Sequence, residues 1–277
     1  MAFLYPAKSY TVFELANKTI TIIGEVHLEN DFSYKVKKEN TWLVPHFLLN
    51  FIQKKYDTDK SLYLEMGEIS FKSALEKQNA FSKLKNTFNL ESKNMREFIA
   101  NVNPYYAPRI FGGDKRRNLE VNGYPNWQNI LYGKDVNKAN NHFFLKLCER
   151  IQQLIYEVLK HCSIPEDMPK NLIHNLKMYY ENDIQKVKEF FEFDNNFYNK
   201  NNYILILQSV FCEVSDYLMI RDILLRPETD IMILFGEEHA RDFKITMKEY
   251  IKKYKKEKGL FFGKECKPNY PLTVCIR

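Results

Sequence analysis

Short runs of apolar, mostly β-branched residues alternate along this chain with longer stretches whose apolar residues recur at helical spacing. Residues 18–23 (KTITII) predict a strand ended by Gly24, and residues 42–56 (WLVPHFLLNFIQKKY) predict a helix. Residues 62–66 (LYLEM) form a second short apolar run, followed by Gly67 and a helical stretch over 70–80. Such alternation of strand and helix argues for a parallel sheet with helices packed against it.

The middle of the chain reads differently. Residues 109–113 (RIFGG) suit a third strand, and residues 118–132, with Gly123, Pro125, Asn126 and then Gly133, predict a long irregular loop near the sheet edge. Three helical stretches follow without a strand between them, over 139–162, 168–197 and 203–225. Strand character returns at 230–235 (DIMILF), then an amphipathic helix over 240–258 and a closing strand at 272–276 (LTVCI). Both ends of the chain are thus expected to feed one sheet. The expected fold is α/β, a mostly parallel central sheet flanked by helices, in a single domain over 1–277 with a helical insertion over 137–200.

Composition supports a globular chain and narrows its partners. Hydrophobic residues make up 45% of the 277 and aromatic residues 15%, enough for a substantial core. The formal charge of +6 arises from 41 basic against 35 acidic residues of dispersed sign, which does not point to nucleic acid. The densest basic stretch, 244–258, reads as a solvated helix face, with a phosphate or membrane-surface role as the alternative. Five cysteines without a CxxC pair fit reduced thiols in a cytoplasmic setting. The opening MAFLYPAKSY is broken by Pro and Lys before any signal-peptide core forms, and no run reaches about 18 apolar residues, so neither export nor a membrane span is expected. Abundant Lys, Asn, Tyr, Phe and Ile match the bias of AT-rich genomes, which include large DNA viruses, protists and low-GC bacteria.

Candidate chemistry centres on a repeated tetrapeptide. Gly24-Glu25-Val26-His27 and Gly236-Glu237-Glu238-His239 each follow a strand-like run. Random placement of the chain's glycines and histidines gives about 0.2 Gly-x-x-His matches, so two copies sharing a Glu argue against coincidence. A glycine lets the strand end turn sharply, and the histidine then stands above the carboxyl edge of a sheet, where open α/β folds bind ligands. Imidazole suits proton transfer near neutral pH and ligation of transition metals. Glu25 and Glu237 either orient the rings and accept protons or cap the following helices. Glu65, a charge inside LYLEM, has to be paired, protonated or placed at the open end of its strand. Arg221 lies on a helix with Glu213, Asp216 and Asp222, which suits an ordinary ion pair. Asp114, Arg116 and Arg117 follow the possible third strand, where they either contact an anion or lie apart from the site. His46, His142, His161 and His174 fall in helical patterns and read as structural.

In that order, IIGEVH, then LYLEM, then YLMIRDIL and IMILFGEEH, the chain resembles the superfamily of erythromycin esterases, ChaN-like haem-binding proteins and TraB/Tiki proteins. The resemblance covers roughly 18–80 and 203–258. In the esterase branch the matching positions, His27, Glu65 and His239, line the active site. The Tiki branch associates the two Gly-x-x-His motifs with a divalent metal and peptide hydrolysis, and the ChaN branch binds haem. Esterases space the first motif one residue longer than here. The resemblance implies a hydrolase of ester, amide or peptide bonds acting on a small-molecule or peptide substrate. In it His27, assisted by Glu65, takes a proton from water while His239 and an arginine stabilise the oxyanion, and Arg221, which resembles the arginine before the late motif of TraB-like members, braces the histidine or a substrate carboxylate. With a metal, the ligands would be His27, His239 and Glu25 or Glu65, around Mn, Fe or Zn. The alternatives are a non-catalytic haem, metal or small-ligand binder and a viral structural or host-interaction protein of the same fold, placed in the host cytoplasm or the virion.

Overall fold

The computed structural model describes residues 2–5, 7–15, 17–25, 41–53, 59–66, 92–160, 181–193, 197–258 and 274–276. They form two compact units, one of Met1–Asp114 with Ile223–Arg277, the other of Lys115–Asp222.

The first unit is built on a five-stranded sheet. Its strands are β2 (Ser9–Leu15), β3 (Lys18–Glu25), β5 (Lys60–Leu64), β6 (Ile110–Gly112) and β7 (Asp230–Gly236), in the order β2-β3-β7-β5-β6. β2 runs antiparallel to β3 and every other pairing is parallel. Nearly every residue of β3, β5 and β7 is buried, as expected for parallel strands covered on both faces. β2 has a partly exposed, alternating pattern, as an edge strand should.

One face of the sheet carries Ile23, Leu64 and Leu234, packed in a core with α1 (Val44–Ile52) and α2 (Lys93–Asn101). The residues between these point to the other face, where α7 (Glu237–Lys258) packs on β3 and β7. The helix buries Ala240, Phe243 and Met247, one stripe at helical spacing. α1 starts at Val44, later than the apolar pattern implied, because Pro45 fixes its first turn and residues 41–43 form the short strand β4 (Thr41–Leu43). α2 starts at the side chain of Ser92, which accepts the Met95 N–H at 3.1 Å. Ser92→Ala is therefore expected to cost about 1 kcal/mol, read as a lower urea midpoint at unchanged slope.

A second sheet differs from expectation. The C-terminal strand β8 (Val274–Ile276) does not join the five strands but pairs antiparallel with β1 (Ala2–Tyr5), which pairs in parallel with β4. The apolar run does form a strand, but periodicity carries no information about the partner strand. The helical stretch expected over 70–80 lies outside the described residues.

The second unit is helical. Its core joins α4 (Asn141–Lys160), α5 (Glu181–Phe193) and α6 (Phe197–Leu225), whose last three residues pass into the first unit. Phe144 and Phe191 stack at 4.4 Å between ring centroids. The expected loop over 118–132 contains a short helix, α3 (Trp127–Leu131), because Trp127 and Leu131 enter this core and the Trp127 indole N–H reaches the Leu119 carbonyl at 2.8 Å. Residues Lys200–Leu225 are long and apolar enough to cross a membrane by length and composition alone. Half of that apolar window is buried within the protein, a pattern also given by a core helix, and Leu207, Phe211 and Val214 belong to the helical core. Burial pushes the Cys148 thiol up to about 12, so it packs as a small hydrophobe.

Candidate functional site

Parallel pairing brings the ends of β3, β7 and β5 to one edge of the sheet. β7 lies between the other two and runs straight into α7, so its last glycine, Gly236, is also the hinge into the helix. Glu65 follows the last residue of β5, at the open end of its strand. Its backbone N–H still donates to the Leu234 carbonyl, 3.1 Å away, which holds the residue against β7.

From there the Glu65 carboxylate takes two partners. Oε2 accepts the N–H of Gly236, and Oε1 lies 3.0 Å from Nδ1 of His239. Both side chains are largely buried, 14% and 13% exposed, so water screens their contact weakly. A carboxylate at this point also faces the amino end of a 22-residue helix, where backbone N–H groups favour negative charge. Two of the residues singled out from the sequence thus meet across 174 positions of the chain, one just past β5 and the other in the first turn of α7.

The imidazole is held in its plane by Glu65 and across its face by Phe235. The two rings are parallel within 5° at 4.0 Å between centroids. Phe235 is fully buried, with Phe243 edge-on at 5.6 Å. It fits because residue 113 is glycine: a Cβ there would come within 2.7 Å of the Phe235 ring and 3.0 Å of the Leu64 carbonyl oxygen.

The two copies of the tetrapeptide are staggered on their strands. Glu25 stands opposite Gly236, and Gly24 opposite Phe235. Alternation sends Glu25 to the face of Ile23, where α2 presents Asn94, whose side-chain amide donates to Glu25 Oε2 at 2.6 Å. Glu25 is buried there, at 1% exposure. Glu237 instead reaches β2, where Ser9 Oγ donates to its Oε2 at 2.5 Å. Gly24 leaves the space for this pair, since a Cβ at that position would come within 2.0 Å of Glu237 Oε2 and 2.4 Å of Ser9 Oγ. Gly24→Ala is accordingly expected to separate Ser9 from Glu237 and cost about 1 kcal/mol, the usual net worth of such a bond, measured by urea unfolding.

The remaining sequence candidates fall elsewhere. His27 lies outside the described residues. Arg221 sits on α6, in the second unit, with no role assigned by the site's geometry. Asp114 is buried at the end of the first unit, while in the second unit Lys115 pairs with Asp222 at 2.9 Å and Arg116 donates to Cys212 Sγ at 3.1 Å. His46 and His142 are exposed on α1 and α4. Of the conditional metal ligands, Glu65 and His239 engage each other directly, and among the described residues no three of His, Cys, Asp or Glu are gathered to hold an ion.

Three residues of the site were not marked by the sequence reading. Phe235 looked like any core position of DIMILF, Asn94 stands apart from every motif, and Ser9 belongs to a strand whose alternating pattern begins beside Pro6 and Lys8. No family model matches this chain, and neither a curated protein nor a solved structure does.

Proposed function

We propose that the protein is a hydrolase of ester, amide or peptide bonds whose acid-base group is the Glu65–His239 dyad at the carboxyl edge of the sheet. The observation that carries this reading is the contact of Glu65 Oε1 with His239 Nδ1 on a ring fixed by Phe235. A carboxylate on Nδ1 selects the tautomer with its proton there, so that Nε2 is the atom able to accept one. Carboxylate, imidazole and a reacting water in sequence form the arrangement by which many hydrolases remove a proton from the attacking oxygen. The ordered resemblance to the esterase branch points the same way, with the roles shifted: His239, not His27, is the base that Glu65 assists. The substrate would lie above the strand ends, the usual binding side of an open α/β sheet.

The reading is tested with a panel of small esters and peptides. His239→Ala should lower kcat about 10²- to 10⁴-fold on whichever substrate is turned over, the usual contribution of a general base. Equal rates for the wild-type protein and His239→Ala would sink the proposal.

A further inference from the structure

The edge of the sheet that carries the dyad also carries a second polar pair, Ser9 with Glu237. β2 starts at Ser9 and runs antiparallel to β3, so its first residue stands opposite Gly24, at the end where the parallel strands finish. Glu237 opens α7, two residues before His239. The hydroxyl donates to the carboxylate at 2.5 Å, the short separation of a charge-assisted bond, and both oxygens occupy the place a side chain on Gly24 would fill. A hydroxyl hydrogen-bonded to a carboxylate has the local geometry of a nucleophile with its base. Ser9 is half-buried, not sealed in the core.

We infer that Ser9 is an acyl-accepting nucleophile and Glu237 its base, so that esters are cleaved in two displacements, the second of them using the Glu65–His239 dyad. The inference rests on the hydrolase reading for its substrate. In the first displacement Ser9 Oγ bonds to the ester carbonyl carbon, and its proton passes to Glu237. The carbon–oxygen bond to the alcohol then breaks, and the alcohol leaves with that proton. In the second, water attacks the acyl carbon and gives a proton to His239. The bond from carbon to Ser9 Oγ breaks, the proton held by His239 passes to that oxygen, and the carboxylic acid is released, which returns serine, histidine and Glu237 to their starting states. No oxidant or reductant is needed.

A fluorophosphonate probe tests the nucleophile without requiring turnover, because Oγ displaces fluoride from phosphorus and the adduct persists. Incubation of the full chain followed by peptide mapping should place about one equivalent of label on Ser9. Glu237→Gln, which keeps a hydrogen-bond acceptor but not the base, should slow labelling about 10²-fold. Ser9→Ala should abolish it. An unlabelled Ser9 in the wild-type protein overturns the inference whether or not the variants fold. Labelling that persists in Ser9→Ala at another residue overturns it too. Label on Ser9 without hydrolysis of any ester would uphold the nucleophile and sink the hydrolase reading, whereas ester turnover that depends on His239 while Ser9 stays unlabelled would do the reverse.

Discussion

Glu65→Gln is expected to leave the protein folded and to lower its hydrolytic kcat about 10³- to 10⁴-fold. The reasoning follows the two bonds of the carboxylate. Glutamine can still accept the Gly236 N–H through its carbonyl oxygen, so the link from β5 to the start of α7 survives. Its other terminal atom is now an amide nitrogen, which donates where Oε1 accepted. Nδ1 of His239 must then serve as acceptor, the ring proton moves to Nε2, and the atom that should take a proton from water already carries one. Glu65→Ala removes both bonds and is expected to behave differently. It leaves the Gly236 N–H without its carboxylate, at a cost of about 1–3 kcal/mol, so activity and stability fall together. The pair of variants separates the two roles: thermal melts should distinguish Ala from wild type but not Gln, while kcat on the most reactive ester of the panel should be low in both. A Gln variant retaining more than about a third of wild-type kcat would remove His239 tautomer control from the mechanism.

Glu65 and His239 are legible in the sequence because each breaks a pattern. A carboxylate in LYLEM is too costly to bury alone, so its presence signalled a strand end with a partner. His239 stands three residues after a glycine that ends an apolar run, and the structure turns that glycine into the junction of β7 and α7. The parallel alternation over the first third and the return to a strand at 230–235 were legible for the same reason, since buried parallel strands leave continuous apolar runs.

What periodicity could not convey was pairing. Gly24 and Gly236 look like equivalent turns on adjacent strands, and equivalence would have put Glu25 beside Glu237. A one-residue stagger between β3 and β7 sends the two carboxylates to different partners, Asn94 and Ser9, because each residue along a strand reverses the face its side chain meets. The strands β1, β2 and β4, of three to seven residues, and the pairing of β8 with β1 are not legible on similar grounds, since β1, β4 and β8 rest on neighbours far away in the chain. Gly113 carried a signal only in hindsight: its conformation is ordinary, and what it provides is room for a ring.

That ring is the basis of the second large effect. Phe235→Ala is expected to destabilise the first unit by about 3–5 kcal/mol, the range for removing a fully buried phenyl group from a core that cannot collapse around it. Collapse is opposed on three sides, by the Leu64 backbone beneath Gly113, by Phe243 edge-on, and by an imidazole already tied to Glu65. Urea unfolding should show a lower midpoint with an unchanged slope. Phe235→Leu refills most of the volume and should cost less, about 1–2 kcal/mol, yet it offers His239 no flat surface. If Phe235 acts only as filler, kcat for the Leu variant will match wild type at temperatures where both are folded. If it fixes the plane of the imidazole, kcat will fall about tenfold with KM unchanged, because an imidazole free to tilt about its bond to Glu65 meets the reacting water in the right direction for only part of the time. Core rings also stack for packing alone, as Phe144 and Phe191 do, so the 4.0 Å stack does not decide between the two outcomes; the Leu variant does, because it removes the flat contact and keeps most of the volume.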